Sequence, residues 1–397
     1  MKQKGLFMAL TCIVAVLALS VHPSFAAPKT LKIGAIYSLS GWAAPGETPA
    51  FEGAILAVDW INGKGGVNVK GEKYLLELIV EDTKSSPEGT IAAAQKLISE
   101  NKVDFLIGGV VSVMNVAATT VAEPAGVLRV AQYNCLDPNE ISAKTPLTFC
   151  CVGTTYGGAK PAFSYLKEQY PKAKKLAVIH PGDGGMVPIN KLTYPIAEKL
   201  GFTHIYTGEW PVETVDFNPI VAKALAAKPD AVYFTNGWAY HLGSMVKAAR
   251  AQGYKGPLFS INVEPLNEII QHAGGPEAAE GYWIPSWDIL NPKMPPIVTE
   301  IVKMGKAKFN RTHHWHLWGW SAIWTLVQAI ESTQSLEAAR IANHWRTMKT
   351  IETPWGTGTM GGLETFGIND FVDTPRAIMQ VKKGKVELIK WVKSPTP

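Results

Sequence analysis

The chain has 397 residues, 47% of them apolar and 18% charged. That composition is globular rather than disordered, and the length suits two lobes of roughly 150 residues each better than one core. A formal charge of +5, spread evenly, argues against nucleic acid as a partner.

Residues 1–26, MKQKGLFMALTCIVAVLALSVHPSFA, place Lys2 and Lys4 ahead of an apolar run from Leu6 to Leu19 and end on Ser24-Phe25-Ala26. This predicts a secretory signal peptide cut near Ala26, because the run is short and small residues stand where a signal peptidase reads. Cys12 lies inside the run, which argues against a lipid anchor. Without Lys2 and Lys4 the balance is 36 basic to 33 acidic residues, +3. Outside the cytoplasm Cys135 could bridge Cys150 or Cys151 across a short loop; buried thiols are the equal alternative.

Strand and helix patterns then alternate. LKIGAIYSL (31–39) reads as a strand and PAFEGAILAVDWINGKGG as a helix stopped at Asn62-Gly63. YLLELIVED (74–82) is a strand, and Ser86-Pro87 caps and opens a helix to about residue 100. VDFLIGG (103–109) is near-continuously apolar, as in a parallel sheet covered on both faces. A second series starts at KLAVIH (175–180) and runs through PDAVYFT to PLFSI. KLISENKVDFLIGGVVS and VAKALAAKPDAVYFTNGW share one build, a weak repeat that predicts two α/β lobes. From about 283 the pattern is mostly helical, over 295–309, 316–332 and 335–347. Two strands, near 376–382 and 385–391, close the chain.

Signatures for common enzymes, GxxxxGK[ST], GxSxG and HExxH, are absent. GTGTMGG (356–362) matches GxGxxG in letters, yet it follows no buried strand. The stretch RTHHWHLWGW (311–320) holds three histidines and three tryptophans. His313, His314 and His316 suggest zinc, but no Cys or carboxylate pair completes a ligand set. On a helix from His316, residues His316, Trp320, Ile323, Trp324 and Val327 share one face; Trp318, Ser321, Thr325 and Gln328 share the other. Core packing, a cleft wall and a metal site all remain open readings for this stretch.

In open α/β sheets ligands bind beyond the carboxyl ends of the strands. Those ends carry SLSGWAAPG, GGVVSVMN, AQYNC, HPGDGG, TNGW and SINVE. Ser112 either holds a carboxylate with the free N–H groups of a helix start or is a plain N-cap. Trp42 and Trp238 suit stacking on an apolar ligand or core packing. Glu264 suits an ammonium or a solvated loop.

LKIGAIYSLSG, FEGAILAVDWINGKGGV, VEDTKSSPEGTIAAAQKLI, VDFLIGGVVS and TPRAIMQVKKGKV, in this order and spacing, resemble the Leu/Ile/Val-binding type of periplasmic solute-binding protein. The resemblance implies an α/β fold of two similar lobes, each a mostly parallel sheet flanked by helices, joined by a three-crossover hinge. Lobe 1 would hold 27–148 and 283–362; lobe 2 would hold 149–282 and 363–397. It implies a periplasmic protein, not an enzyme, with no cofactor or metal. That protein would capture a branched-chain or aromatic amino acid, or a related small carboxylate, and deliver it to an ABC permease in the inner membrane. The alternative is a periplasmic sensor of a small amide or aromatic acid acting on a receptor. The family's carboxylate-binding serine matches Ser112. Its next ligand loop matches Tyr133-Asn134-Cys135, and its loop at the start of lobe 2 matches Thr154-Thr155-Tyr156. A cleft aromatic matches Trp238, the ammonium-binding acid matches Glu264, and a cleft phenylalanine matches His316. Trp42 would add to the apolar wall. Gly184-Gly185 replace a frequent cleft tyrosine, and Tyr133 and Asn134 are bulkier or more polar than usual, which implies a reshaped side-chain pocket.

Overall fold

The runs LKIGAIY and KLAVIH bury on both faces, so each needs helices on either side, and each seeds one sheet. A computed structural model describes residues 29–133, 139–153, 155–182 and 186–393. The expected signal peptide, Asn134, Cys135, Thr154 and Gly184-Gly185 lie outside the described residues.

The first lobe begins with β1 (Lys29–Tyr37), α1 (Ala44–Gly63), β2 (Val67–Val69), β3 (Glu72–Asp82), α2 (Pro87–Ser99), β4 (Phe105–Ile107), α3 (Ser112–Ala122), β5 (Arg129–Ala131) and β6 (Thr148–Cys150). The second lobe holds α4 (Thr155–Gln169), β7 (Lys175–Pro181), α5 (Met186–Lys199), β8 (Thr203–Trp210), α6 (Asn218–Ala226), β9 (Ala231–Phe234), α7 (Ala239–Ala251), β10 (Leu258–Ser260), α8 (Leu266–Ala273) and β11 (Trp283–Ser286). The chain returns to the first lobe for α9 (Pro296–Phe309), α10 (His316–Thr333), α11 (Ala338–Trp345), β12 (Ile351–Thr353), β13 (Gly356–Gly361), α12 (Leu363–Phe366) and β14 (Phe371–Asp373). It ends in the second with β15 (Arg376–Lys382) and β16 (Lys385–Val392).

The first sheet runs β12-β13-β14-β6-β5-β4-β1-β3-β2 and the second β16-β15-β11-β10-β9-β7-β8. Both are parallel at the centre and antiparallel only at their margins, β2, β12 and β13 in one, β15 and β16 in the other. The fold class matches the expectation. The crossings fall later than expected. β6 still pairs with β5, β11 pairs with β10, and β14 pairs with β6. The chain therefore changes sheets after Cys150, after Ser286 and after Asp373, not at 148/149, 282/283 and 362/363. The crossing strands β6, β11 and β14 are only three or four residues long, too short for their composition to say which sheet will pair with them. GTGTMGG becomes strand β13 rather than a nucleotide loop.

Helices α1 and α10 pack at bare backbone. A β-carbon on Gly53 would lie 2.0 Å from the His316 carbonyl oxygen, and one on Gly319 1.7 Å from that of Ala50. Only glycine lets the two helices meet this closely. Helix α10 is consequently buried on both faces: Trp318, Trp320, Ser321 and Thr325 are all fully buried.

Candidate functional site

The carboxyl ends of both sheets face each other across a narrow cavity lined from both lobes, the place where α/β sheets bind small molecules. The first lobe supplies Trp42 after β1, Val110 and Val111 after β4, Tyr133 after β5, and Trp315, the N-cap of α10. The second supplies Pro181 at the end of β7, Val212 after β8, Asn236 to Trp238 after β9, His241 in α7 and Glu264 after β10.

Four aromatic rings line this space. Trp238 and Trp315 meet edge to face across the lobes, 5.3 Å apart at 69°, a geometry that aligns ring edge with ring face. The Trp42 ring is fixed by its indole N–H, which donates to the Ser85 carbonyl at 3.1 Å. Tyr133 packs edge-on against buried Trp318, 4.5 Å away. Its hydroxyl accepts a hydrogen bond from Thr155 Oγ1 at 2.9 Å.

The charge pattern is lopsided. No lysine or arginine lines the cavity among the described residues. Glu264 is 3% exposed, and Ala239 N–H donates to its Oε2 at 3.1 Å. Burial pushes its pKa well above the ordinary value, with the Glu268 carboxylate adding to the rise. The Ala239 N–H and the Trp315 side chain pull the other way. His241 Nδ1 accepts the Trp238 backbone N–H at 3.3 Å, and burial lowers the imidazole to about 4, so it stays neutral at pH 7. Burial lifts the Tyr133 hydroxyl to about 12. The site is thus an apolar, neutral wall around one carboxyl group.

Of the residues expected from sequence, Trp42, Tyr133, Trp238 and Glu264 converge on the cavity. Ser112 is buried as the first residue of α3, directly behind the lining Val110 and Val111; the N-cap is Val111, so the plain N-cap reading of Ser112 does not hold. Thr155 is fully buried and touches the site through Tyr133. Tyr156 does not line the cavity: it packs with Met186 and Ile189 of the second lobe, and its hydroxyl lies 3.5 Å from Thr365 Oγ1 of the first. His316 is corrected: it does not line the cleft. Its Nε2 lies 3.0 Å from Glu52 Oε2 on α1, and its ring fills the space above Gly305 of α9. The neighbouring Trp315 takes the cleft position.

The three histidines also diverge. His313 Nε2 is 3.6 Å from Glu268 Oε1, and His314 is buried between Trp287 and Trp318. No group of three or more His, Cys, Asp or Glu side chains is placed to hold a metal among the described residues. Sequence reasoning missed Trp315, His241 and Val212. Val212 follows the end of β8 by two residues, and His241 stands in the first turn of α7, the helix that follows β9; a position beyond a strand end is the signal that could have found them.

Two lobes closing over a buried, aromatic, singly acidic cavity define a protein that captures a small solute. The sequence profile of the periplasmic binding protein family matches residues 30–385, and the chain belongs to that family. A Leu/Ile/Val-binding protein of Citrobacter freundii is 28% identical over 390 residues, covering 94% of this chain and 97% of that one. An amino acid binding protein of Pseudomonas aeruginosa is 25% identical over 323 residues, 81% and 83% of the two chains. Among solved structures, a leucine binding protein of Thermotoga maritima superposes with a TM-score of 0.75 at 21% identity, covering 92% and 99%. A Rhodopseudomonas palustris solute binding protein of an ABC transporter, in complex with 3,4-dihydroxybenzoic acid, superposes at 0.73 with 19% identity, covering 92% and 98%.

Proposed function

We propose that this chain is the periplasmic solute-binding component of an ABC importer, exported by a signal peptide cut near Ala26, and that its solute is a hydrophobic amino acid. The single observation that carries the ligand class is Glu264. It is a carboxyl group buried in an aromatic cavity whose lining, among the described residues, includes no lysine or arginine. An ammonium group placed against it supplies the missing counter-charge and offsets the cost of burial. A solute carrying only a negative charge would find no cation there. Its carboxylate end fits the start of α3, where Val110 and Val111 lead into Ser112 and the free backbone N–H groups of a helix favour an anion. Trp42, Tyr133, Trp238 and Trp315 hold the apolar side chain.

The amino acid binding relatives support this reading. A small aromatic carboxylate is the second reading, favoured by the four rings and by the dihydroxybenzoate-bound neighbour. Closure of the lobes would present the loaded form to a membrane permease.

A thermal-shift panel tests the proposal. It holds leucine, isoleucine, valine, phenylalanine, benzoate and 4-hydroxybenzoate. A ligand at 100 times its Kd adds about 2.7 kcal/mol of stability. Shifts with the amino acids are expected. Shifts with the benzoates alone would overturn the amino acid reading and leave a solute-binding role. No shift with any member would remove both.

A further inference from the structure

Where the three connections between the lobes run side by side, one buried arginine touches each of them. Arg376, the first residue of β15, is 1% exposed. On the connection after β6, a β-carbon on Gly153 would lie 3.3 Å from its Nη2, and in the first turn of α4, which that connection enters, one on Gly158 would lie 3.0 Å from its Nη1. On the connection after β11, the Trp287 ring centroid lies 5.8 Å from its Cζ, and the Trp287 indole N–H donates to the Pro375 carbonyl at 2.8 Å. On its own connection the Asp373 carboxylate attracts it, and Thr374 Oγ1 donates back to the Val152 carbonyl at 3.1 Å. The fourth contact reaches the ligand site: the guanidinium shares a hydrogen bond with Tyr133, whose ring lines the cavity and whose hydroxyl also takes the Thr155 hydrogen bond.

We propose that Arg376 is a positioning residue for ligand capture, a junction that ties all three hinge connections to the cavity wall at Tyr133. Burying a guanidinium is costly, and an apolar side chain of similar volume would often be at least as stable there. What an apolar side chain cannot do is share a hydrogen bond with Tyr133 while its charge faces the Asp373 carboxylate and the Trp287 ring. A planar guanidinium fork can do all three from one position, and a lysine ammonium, a point charge on a flexible stem, holds no such fixed plane. When the lobes swing, the connections move relative to one another, and the fork can keep all its partners at one angle only. A solute that presses on the Tyr133 ring therefore bears on the hinge, and the hinge on the ring.

The test needs no ligand in its first arm. Hydrogen exchange is followed in the full ligand-free chain for wild type, Arg376→Lys, Tyr133→Phe and Thr155→Val. Arg376→Lys is expected to speed exchange tenfold or more at residues 152–153 and 155–158, at 287, and at 374–377 together, with β1 and β7 unchanged. A gain confined to 374–377 would reduce Arg376 to local packing and overturn the proposal. If Arg376→Lys fails to fold, Tyr133→Phe and Thr155→Val decide, because both cut only the Tyr133 end. Faster exchange at all three connections is expected, and none at any of them overturns the proposal. In the second arm L-leucine is titrated. Arg376→Lys weakens binding at least tenfold, and adding Tyr133→Phe to it weakens binding no further. Additive losses would show two independent effects. If leucine does not bind wild type, the amino acid reading fails there, and the exchange arm still decides the role of Arg376.

Discussion

A β-carbon placed on Gly46 would stand 2.4 Å from the Trp238 ring. Gly46 lies in the first turn of α1, in the first lobe, and Trp238 caps α7 in the second. The lobes therefore close by laying an indole on bare backbone. The contact exists only in the closed arrangement, so substitution at Gly46 separates closing from folding. Gly46→Ala is expected to leave the melting temperature of the ligand-free chain within a few degrees, since alanine suits a helix better than glycine by about 1 kcal/mol. It is expected to weaken solute binding about tenfold or more. Calorimetric titration and melting of the same preparation check both halves, and unchanged affinity would show that closure does not bring these residues together.

Glu264 gives the site a pH signature with a definite sign. Its folded pKa is raised, so a proton competes with an ammonium ligand for it. Amino acid affinity is expected to fall as pH drops through that raised value. In the ligand-free chain the same shift stabilises the fold below the ordinary carboxylate value near 4.3, and that contribution is lost as pH rises through the folded value. Glu264→Gln is expected to flatten the affinity profile and to weaken leucine binding at pH 7.5 by about tenfold or more. An aromatic acid without an amino group would show the opposite slope, binding better as the carboxyl is neutralised.

His316 is expected to matter for stability and not for solute. Its Nε2 sits 3.0 Å from Glu52 Oε2, and Arg311 donates to both oxygens of that carboxylate. His316→Phe strips a buried partner from this group, at a cost of about 1–3 kcal/mol. Affinity should stay within twofold. A large loss of affinity with unchanged melting would restore His316 to the cleft.

Much of the fold was legible because it depends on patterns that local chemistry sets. The apolar runs at 31–37 and 175–180 are strands, Ser86-Pro87 does begin α2 with the serine oxygen accepting the Gly89 N–H at 3.0 Å, and the closing strand pair turns at Lys383-Gly384 as expected. Of the candidate site residues, the ones beyond strand ends, Trp42, Tyr133, Trp238 and Glu264, are those that line the cavity. Legibility failed at α10 for a physical reason. A helical wheel finds an inward face by contrast with a solvated one, and α10 has little solvated face, being packed against α1 on one side and the sheet on the other. The wheel could not tell which buried direction was the cleft and left the stretch open; the resemblance to the family then put His316, not Trp315, at the cleft.

The other two histidines predict acid sensitivity. Burial lowers His313 to about 3, helped by its charged and histidine neighbours, and burial alone lowers His314 to about 3. Both stay neutral when folded and take protons when unfolded. Their contribution is present above the ordinary histidine value near 6.5 and is lost as pH falls from there toward 3. The melting temperature is expected to fall between pH 7 and pH 5, and His314→Phe to reduce that slope. A slope identical to wild type would assign the acid sensitivity elsewhere.

The central claim is that the cleft holds a small apolar solute through its ammonium group at Glu264. The most direct measurement is a paired calorimetric titration of the mature chain at pH 7.5 with L-leucine and with 4-methylpentanoate, which is leucine without its amino group. The account predicts saturable binding of leucine and at least a hundredfold weaker binding of the deamino acid, about 2.7 kcal/mol. Equal affinities, or preference for the deamino acid, would contradict it.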